Sequence, residues 1–258
     1  MKENYKKHKN PSKKYMKNNK NYSRKKSLNV PASKLPTYTE PQDFRDSPHW
    51  RVMRIQAEFI NGFQFLADFK KTVTFFGSAR FDAGNQYYQT AEKLAEFLGR
   101  EGFGVVTGGG PGIMEAANRG AASAKADSIG LNIQLPFEQR ANPYIQKSIG
   151  FHYFFTRKVM LAYSAKAYVF FPGGYGTLDE FFEIIVLVQT KKFFDKIPIV
   201  CVGKDYWQGL DKWMYETVYY KNGAIDSEDL KIYKIVDTAE EAFDYIKKEL
   251  NIDINLRA

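Results

Sequence analysis

The chain has 258 residues, 44% hydrophobic and 16% aromatic side chains, and a formal net charge of +9, which suits one large domain with a sizeable core. Its single cysteine, Cys201, excludes an internal disulfide framework and fits a reducing, cytoplasmic setting. No run approaches the ~18 consecutive apolar residues of a spanning helix, and the polar N-terminus has no apolar secretory region. The charge is unevenly placed. Residues 1–36 hold eleven Lys, one Arg and one Glu, a net of +11, whereas the remaining 222 residues hold 26 basic and 28 acidic side chains, a net of −2. The basic balance therefore belongs to a tail, and the body is nearly neutral. A tail of Lys, Asn, Ser and Tyr without apolar period reads as disordered and solvated. Any nucleic-acid contact through it would be weak and accessory.

Taken in chain order, residues 1–46 form the tail and linker, and 47–258 form one domain with an N-terminal helix over 48–70 and a core over 71–250. Ser47 can cap that helix, with Pro48 at its first position. Val52, Ile55, Phe59, Phe63 and Leu66 then recur at spacings of three and four, an apolar stripe that needs the main domain or a second subunit to cover it. Thr72–Phe76 is a short buried strand ending in Gly77-Ser78-Ala79-Arg80. A helix follows over 86–100, then a strand at Gly104–Thr107, a glycine turn at 108–112 and a small-residue helix over Ile113–Ala124. Further strands are expected at Ser128–Leu135, Ala167–Phe171, Ile197–Val202 and Ile232–Val236. Helices are expected at Phe154–Ser164, Thr177–Thr190, Tyr206–Tyr219 and Ala239–Leu250. Short apolar strands alternating with helices predict an α/β fold: a Rossmann-like, doubly wound parallel sheet with helices on both faces. In such sheets ligands lie beyond the carboxyl ends of the strands, where three of the glycine-bearing turns fall.

Three segments carry candidate chemistry. In Pro172–Glu180 (PGGYGTLDE) a buried strand turns into a helix through Gly173, Gly174 and Gly176. Missing side chains let backbone N–H groups approach an anion, and the helix dipole favours negative charge there. Thr177 supplies a hydroxyl, as a helix cap or a phosphate ligand. The terminal Gly-Lys-Ser/Thr of a P-loop is absent. Glu180 lies three residues after Thr177, so spacing alone leaves it either a capping-box glutamate or a carboxylate facing the crevice. The turn GGGPGIMEAANRGA contributes Gly109, Gly110, Met114 and Glu115 as wall candidates. Ser78 is the candidate on the first turn. In FFTRKVML, Arg157 and Lys158 interrupt an apolar helix, which is costly unless they face water or a partner.

Together these segments resemble the LOG (Lonely Guy) family, long labelled lysine decarboxylases. The motif PGGxGTxxE is matched by Pro172, Gly173, Gly174, Gly176, Thr177 and Glu180. The triple-glycine turn is matched by Gly108–Gly110, Gly112 and Met114, and the Arg-Lys pair by Arg157 and Lys158. The resemblance covers residues 50–250, and 135–144 is similar to a longer bacterial branch. It implies a phosphoribohydrolase that splits a nucleoside 5′-monophosphate, AMP or a cytokinin nucleotide, into free base and ribose 5-phosphate. It also implies a homodimer or higher oligomer, Glu180 and Arg157 as catalytic pair, and 173–177 as phosphate cradle. A cation beside Glu180 is expected to keep it ionised. The proton donor to the leaving base is not evident, with His152 and Asp179 as the candidates. No cofactor is expected, and no metal, because His8, His49 and His152 are scattered. The alternatives are a non-catalytic nucleotide carrier or sensor on the same fold, and a pyridoxal-dependent decarboxylase as the old label says.

Overall fold

A computed structural model describes residues 43–134, 141–163, 165–192 and 197–251. The basic tail, the linker up to residue 42, and residues 135–140 of the 135–144 segment lie outside the described residues.

Seven parallel strands form one sheet in the order β4-β3-β2-β1-β5-β6-β7. They are β1 (Thr72–Phe76), β2 (Gly104–Thr107), β3 (Ser128–Ile133), β4 (Lys147–Phe151), β5 (Ala167–Phe170), β6 (Ile199–Val202) and β7 (Lys234–Val236). The helices are α1 (Pro48–Leu66), α2 (Gln86–Arg100), α3 (Ile113–Ser123), α4 (Phe154–Tyr163), α5 (Tyr175–Gln189), α6 (Lys204–Trp213) and α7 (Ala239–Glu249). The central strands are buried on both faces, which is why they read as unbroken apolar runs. Val73, Phe75, Val105 and Val169 pack with α2, α3 and α7, while Phe76, Val106, Tyr168 and Phe170 pack with α1, α4, α5 and α6. Phe75 is fully buried, so truncating it to alanine would cost about 3–5 kcal/mol.

Several elements differ from expectation; β5 ends at Phe170, β6 begins at Ile199 and β7 at Lys234, each one or two residues inside the expected run. Helix α1 is capped by Ser47, whose side chain accepts from the Trp50 N–H at 3.2 Å. It stops at Leu66 rather than 70, because the Lys71 carbonyl already accepts from Gly104 N–H in line with the sheet. The helix expected over 206–219 is α6 running into a π-helical segment, Met214–Lys221. Strand β4 was not expected at all. It is an edge strand paired to β3, with Leu131 opposite Ile149. Its first two residues, Lys147 and Ser148, are exposed, so it lacks the apolar run that marks the inner strands.

The strand order reverses between β1 and β5, which pair from Val73–Ala167 to Phe76–Phe170. At that point the connections leave in opposite directions and open a crevice at the carboxyl edge. Phe171 N–H donates to the Phe76 carbonyl, so the chains that emerge from the two strands start side by side.

Candidate active site

The crevice is a cleft of about 810 Å³, lined from the first turn by Ser78, Arg80 and Phe81, from the loop before α5 by Pro172–Gly174, and from the start of α5 by Tyr175–Leu178 and Glu180. Arg157, Leu161, Met114, Gly108 and Tyr206 complete it. Its size suits a small organic ligand.

The three turns are tied together through Ser78. Its N–H donates to the Pro172 carbonyl, and its carbonyl accepts from Ile113 N–H, both at 3.0 Å. Gly112 has φ +73, and a side chain there would run into the Ser78 carbonyl. Gly173 is equally confined, since a methyl on it would overlap the Thr177 hydroxyl. Its carbonyl accepts from Tyr206 OH at 2.8 Å. Gly174 and Gly176, by contrast, face open space.

Helix α5 begins at Tyr175, with Gly174 as its cap residue and no side-chain cap bond. Thr177 is therefore the third helical residue and not the helix start. Its hydroxyl is folded back towards Gly173, and the residue is buried against the loop. The first intrahelical bond runs from Leu178 N–H to the Gly174 carbonyl. The amides of Tyr175, Gly176 and Thr177 precede it, so they are the groups that a helix N-terminus offers to an anion. The corresponding end of α3 is less available, because Ile113 N–H is already used by Ser78.

Glu180 stands in the second turn of α5, too far along to cap it, which removes the capping-box alternative. One of its oxygens, Oε2, is buried without a hydrogen-bond partner among the described residues. Burial raises its pKa from 4.5 to about 7; Lys158 and Arg157 pull it down, and Glu183 and Asp179 push it up. Here the sequence expectation needs correction. The neighbouring cations do not hold Glu180 in the ordinary carboxylate range, because desolvation outweighs them.

Arg157 enters the cleft from α4. Its Nε donates to the Leu131 carbonyl at 2.7 Å, and its guanidinium lies over Gly108, where a side chain would overlap it. Burial lowers its pKa, while the charge of Glu180 opposes this. Lys158, the other half of the pair, does not line the cleft. It bridges Asp179 at 2.8 Å and Glu183 at 3.0 Å, which places its charge behind Glu180.

The remaining candidates divide. Ser78 and Met114 line the cleft; Gly109, Gly110 and Glu115 do not. The Gly109 and Gly110 carbonyls accept from the backbone and side-chain amides of Asn142, both at 3.0 Å. Glu115 accepts from Tyr88 OH at 3.0 Å and joins α3 to α2. Neither His152 nor Asp179 lines the cleft. Arg80, Phe81, Tyr175, Leu161 and Tyr206 were not singled out from sequence. Arg80 and Phe81 follow the first strand-end turn and could have been found from that position. Tyr206 is brought in by β6 and α6 and has no local signal. Among the described residues no cluster of His, Cys, Asp or Glu could hold a metal ion, and no helix is long and apolar enough to cross a membrane.

Comparison with known proteins gives three relevant matches. The chain is 27% identical over 190 residues to a probable cytokinin riboside 5′-monophosphate phosphoribohydrolase of rice (Oryza sativa subsp. japonica), spanning 70% of this chain and 84% of that protein. It is 27% identical over 176 residues to a pyrimidine/purine nucleotide 5′-monophosphate nucleosidase of Escherichia coli K12, but covers only 37% of that longer protein. Among solved structures it superposes on the molybdenum cofactor binding protein of Rippkaea orientalis with a TM-score of 0.52 and 19% identity, over 70% of this chain and 98% of that one. That likeness establishes the shared Rossmann-type fold. The model of the family described as possible lysine decarboxylase matches residues 114–246. With just over half of the chain so matched, the protein belongs to this family, the same one that the glycine and Arg-Lys motifs identify as LOG.

Proposed function

We propose that the protein hydrolyses the N-glycosidic bond of a nucleoside 5′-monophosphate, AMP or a cytokinin nucleotide, releasing free base and ribose 5-phosphate. The observation that carries this reading is the placement of Glu180. A half-buried carboxylate with an unpartnered oxygen shares one cleft with three helix-start amides. The amides of Tyr175, Gly176 and Thr177 would take the 5′-phosphate, and binding energy at that end would hold the ribose against Glu180. As the bond to the base lengthens, positive charge builds on the sugar, and ionised Glu180 stabilises it. Glu180 also removes a proton from the attacking water. The new bond joins the water oxygen to the anomeric carbon. The electron pair of the broken bond leaves on the ring nitrogen of the base, which takes up the proton that Glu180 accepted. No separate acid is required, consistent with His152 and Asp179 lying outside the cleft. Arg157 would contact the substrate and steady the Glu180 charge.

The relatives' names support the substrate class, and the helix-start amides of Tyr175, Gly176 and Thr177 support a monophosphate over a free nucleoside. The exposed apolar side chains of α1 and α4, including Met53, Ile60, Phe154 and Tyr163, support a homodimer that covers them. Product analysis against a panel of nucleoside monophosphates tests the reading. Adenine and ribose 5-phosphate are expected from AMP, with loss of release in Glu180→Gln. Saturable AMP binding with no release by the wild type would instead favour a carrier or sensor.

A further inference from the structure

The chain enters helix α4 through Phe151, His152 and Tyr153, and the amides of the last two residues need acceptors. The acceptor comes from α1. Glu58, 94 to 98 residues away in sequence, accepts from His152 N–H at 2.8 Å through Oε1 and from Tyr153 N–H at 3.3 Å through Oε2. The Thr156 hydroxyl, fully buried, lies 2.6 Å from Glu58 Oε2 and 2.8 Å from the Tyr153 carbonyl. One carboxylate thus meets two amides and a hydroxyl, and its charge lies at the favourable end of the helix dipole.

The next residue is Arg157. Its N–H donates to the same Tyr153 carbonyl at 3.3 Å, and its side chain has little room to shift, held between the Leu131 carbonyl and Gly108. The backbone that sets the origin of this side chain is the turn that Glu58 holds. A second contact locks the two helices further along, where a methyl on Gly62 would come within 2.7 Å of Met160 Sδ. Glu58 and α1 lie outside the segment that the family model matches, residues 114–246.

From this geometry we infer that Glu58 is a positioning residue for the cleft: by anchoring the entry to α4 from α1 it sets where Arg157 meets the substrate. The inference rests on the reading of Arg157 as a substrate-contacting group. It gives α1 a function beyond covering the sheet, because Arg157, one of two arginines lining the cleft, is aligned by a helix that contributes no lining residue itself. Glu58→Gln keeps one acceptor oxygen and part of this anchor; Glu58→Ala keeps none.

The experiment compares wild type, Glu58→Ala and Glu58→Gln as full-length chains. Base release from AMP is measured as kcat and KM, and amide exchange is followed at His152 and Tyr153 together with exchange of the Arg157 Nε–H. Glu58→Ala is expected to speed exchange at all three sites and to lower kcat about ten- to a hundredfold with a smaller change in KM. Glu58→Gln is expected to recover part of the loss and to stay measurably below wild type in kcat, with faster exchange than wild type. Unchanged kcat in folded Glu58→Ala, or unaltered Arg157 Nε–H exchange in both variants, overturns the inference. If Glu58→Ala does not fold, Glu58→Gln decides: faster Arg157 Nε–H exchange with reduced kcat supports the role, and wild-type values for both refute it. If the wild type releases no base from any nucleotide, the proposed activity fails by itself. The exchange of Arg157 Nε–H and the affinity for AMP then still decide whether Glu58 aligns it.

Discussion

Replacing Glu180 by glutamine should abolish base release and at the same time make the protein more stable, but only at pH values above the ordinary carboxylate range. The folded protein raises the pKa of Glu180 from 4.5 to about 7. A carboxyl whose folded pKa lies above its unfolded one binds more protons in the native state between the two values. Stability therefore falls as pH rises from 4.5 to about 7 and stays at the lower level beyond. At about 1.4 kcal/mol per tenfold change in proton affinity, the upper bound is about 3 kcal/mol. Because the residue keeps part of its surface in water, about 1–2 kcal/mol is the expected size. Glutamine has nearly the same shape and no charge to desolvate. Urea unfolding of both proteins at pH 4.5 and pH 8 measures the effect. The two should be nearly equal at the lower pH, and the glutamine variant should lead by about 1–2 kcal/mol at the higher. A variant equally stable with wild type at pH 8, or less stable at both, would refute the claim that burial outweighs the cations around Glu180.

Five further outcomes follow from the same geometry. The rate of base release should rise with pH through about 7, the pKa of Glu180, since the ionised form does the work. Lys158→Met removes the largest influence holding that pKa down, so the rising limb should move to higher pH in a pH–rate profile. Gly174→Ala and Gly176→Ala meet nothing within 4 Å, so thermal unfolding should be nearly unchanged, while the added methyl obstructs the approach of the phosphate to the helix-start amides and raises the KM for the monophosphate about ten- to a hundredfold, the equivalent of one weakened charge-assisted bond. Gly173→Ala, whose methyl would overlap the Thr177 hydroxyl, should lower stability as well, by about 1–3 kcal/mol. Gly108→Ala would displace the Arg157 guanidinium, and steady-state kinetics should show a loss in kcat/KM with the fold intact by circular dichroism.

The fold was legible because the information is local. Buried parallel strands must be apolar along their whole length, and the glycines that let three chains converge at the carboxyl edge stand in sequence directly after Phe76, Thr107 and Phe171. The strand-to-helix turn over 172–180 was legible by the same logic, and the family motifs singled out Glu180 and Arg157. Edge strand β4 escaped because it has one neighbour and an exposed face, so nothing forces an apolar run. Spacing could not tell Lys158 from Arg157, although they are adjacent. The turn of α4 directs one over Gly108 and the other into ion pairs with Asp179 and Glu183 behind the cleft. The proton affinity of Glu180 lay beyond the sequence too. It is a balance between desolvation and the surrounding charges of Lys158, Arg157, Glu183 and Asp179, and such a balance exists only once α4 and α5 are packed. The anchoring of the α4 entry by Glu58 has the same origin: it has no local pattern, because the acceptor and the amides it satisfies are 94 or more residues apart. Periodicity and glycine placement determined which elements form and where the crevice must lie. The tertiary packing decided which charges face it and in what state, because burial and long-range hydrogen bonds depend on distances between segments that are remote in the chain.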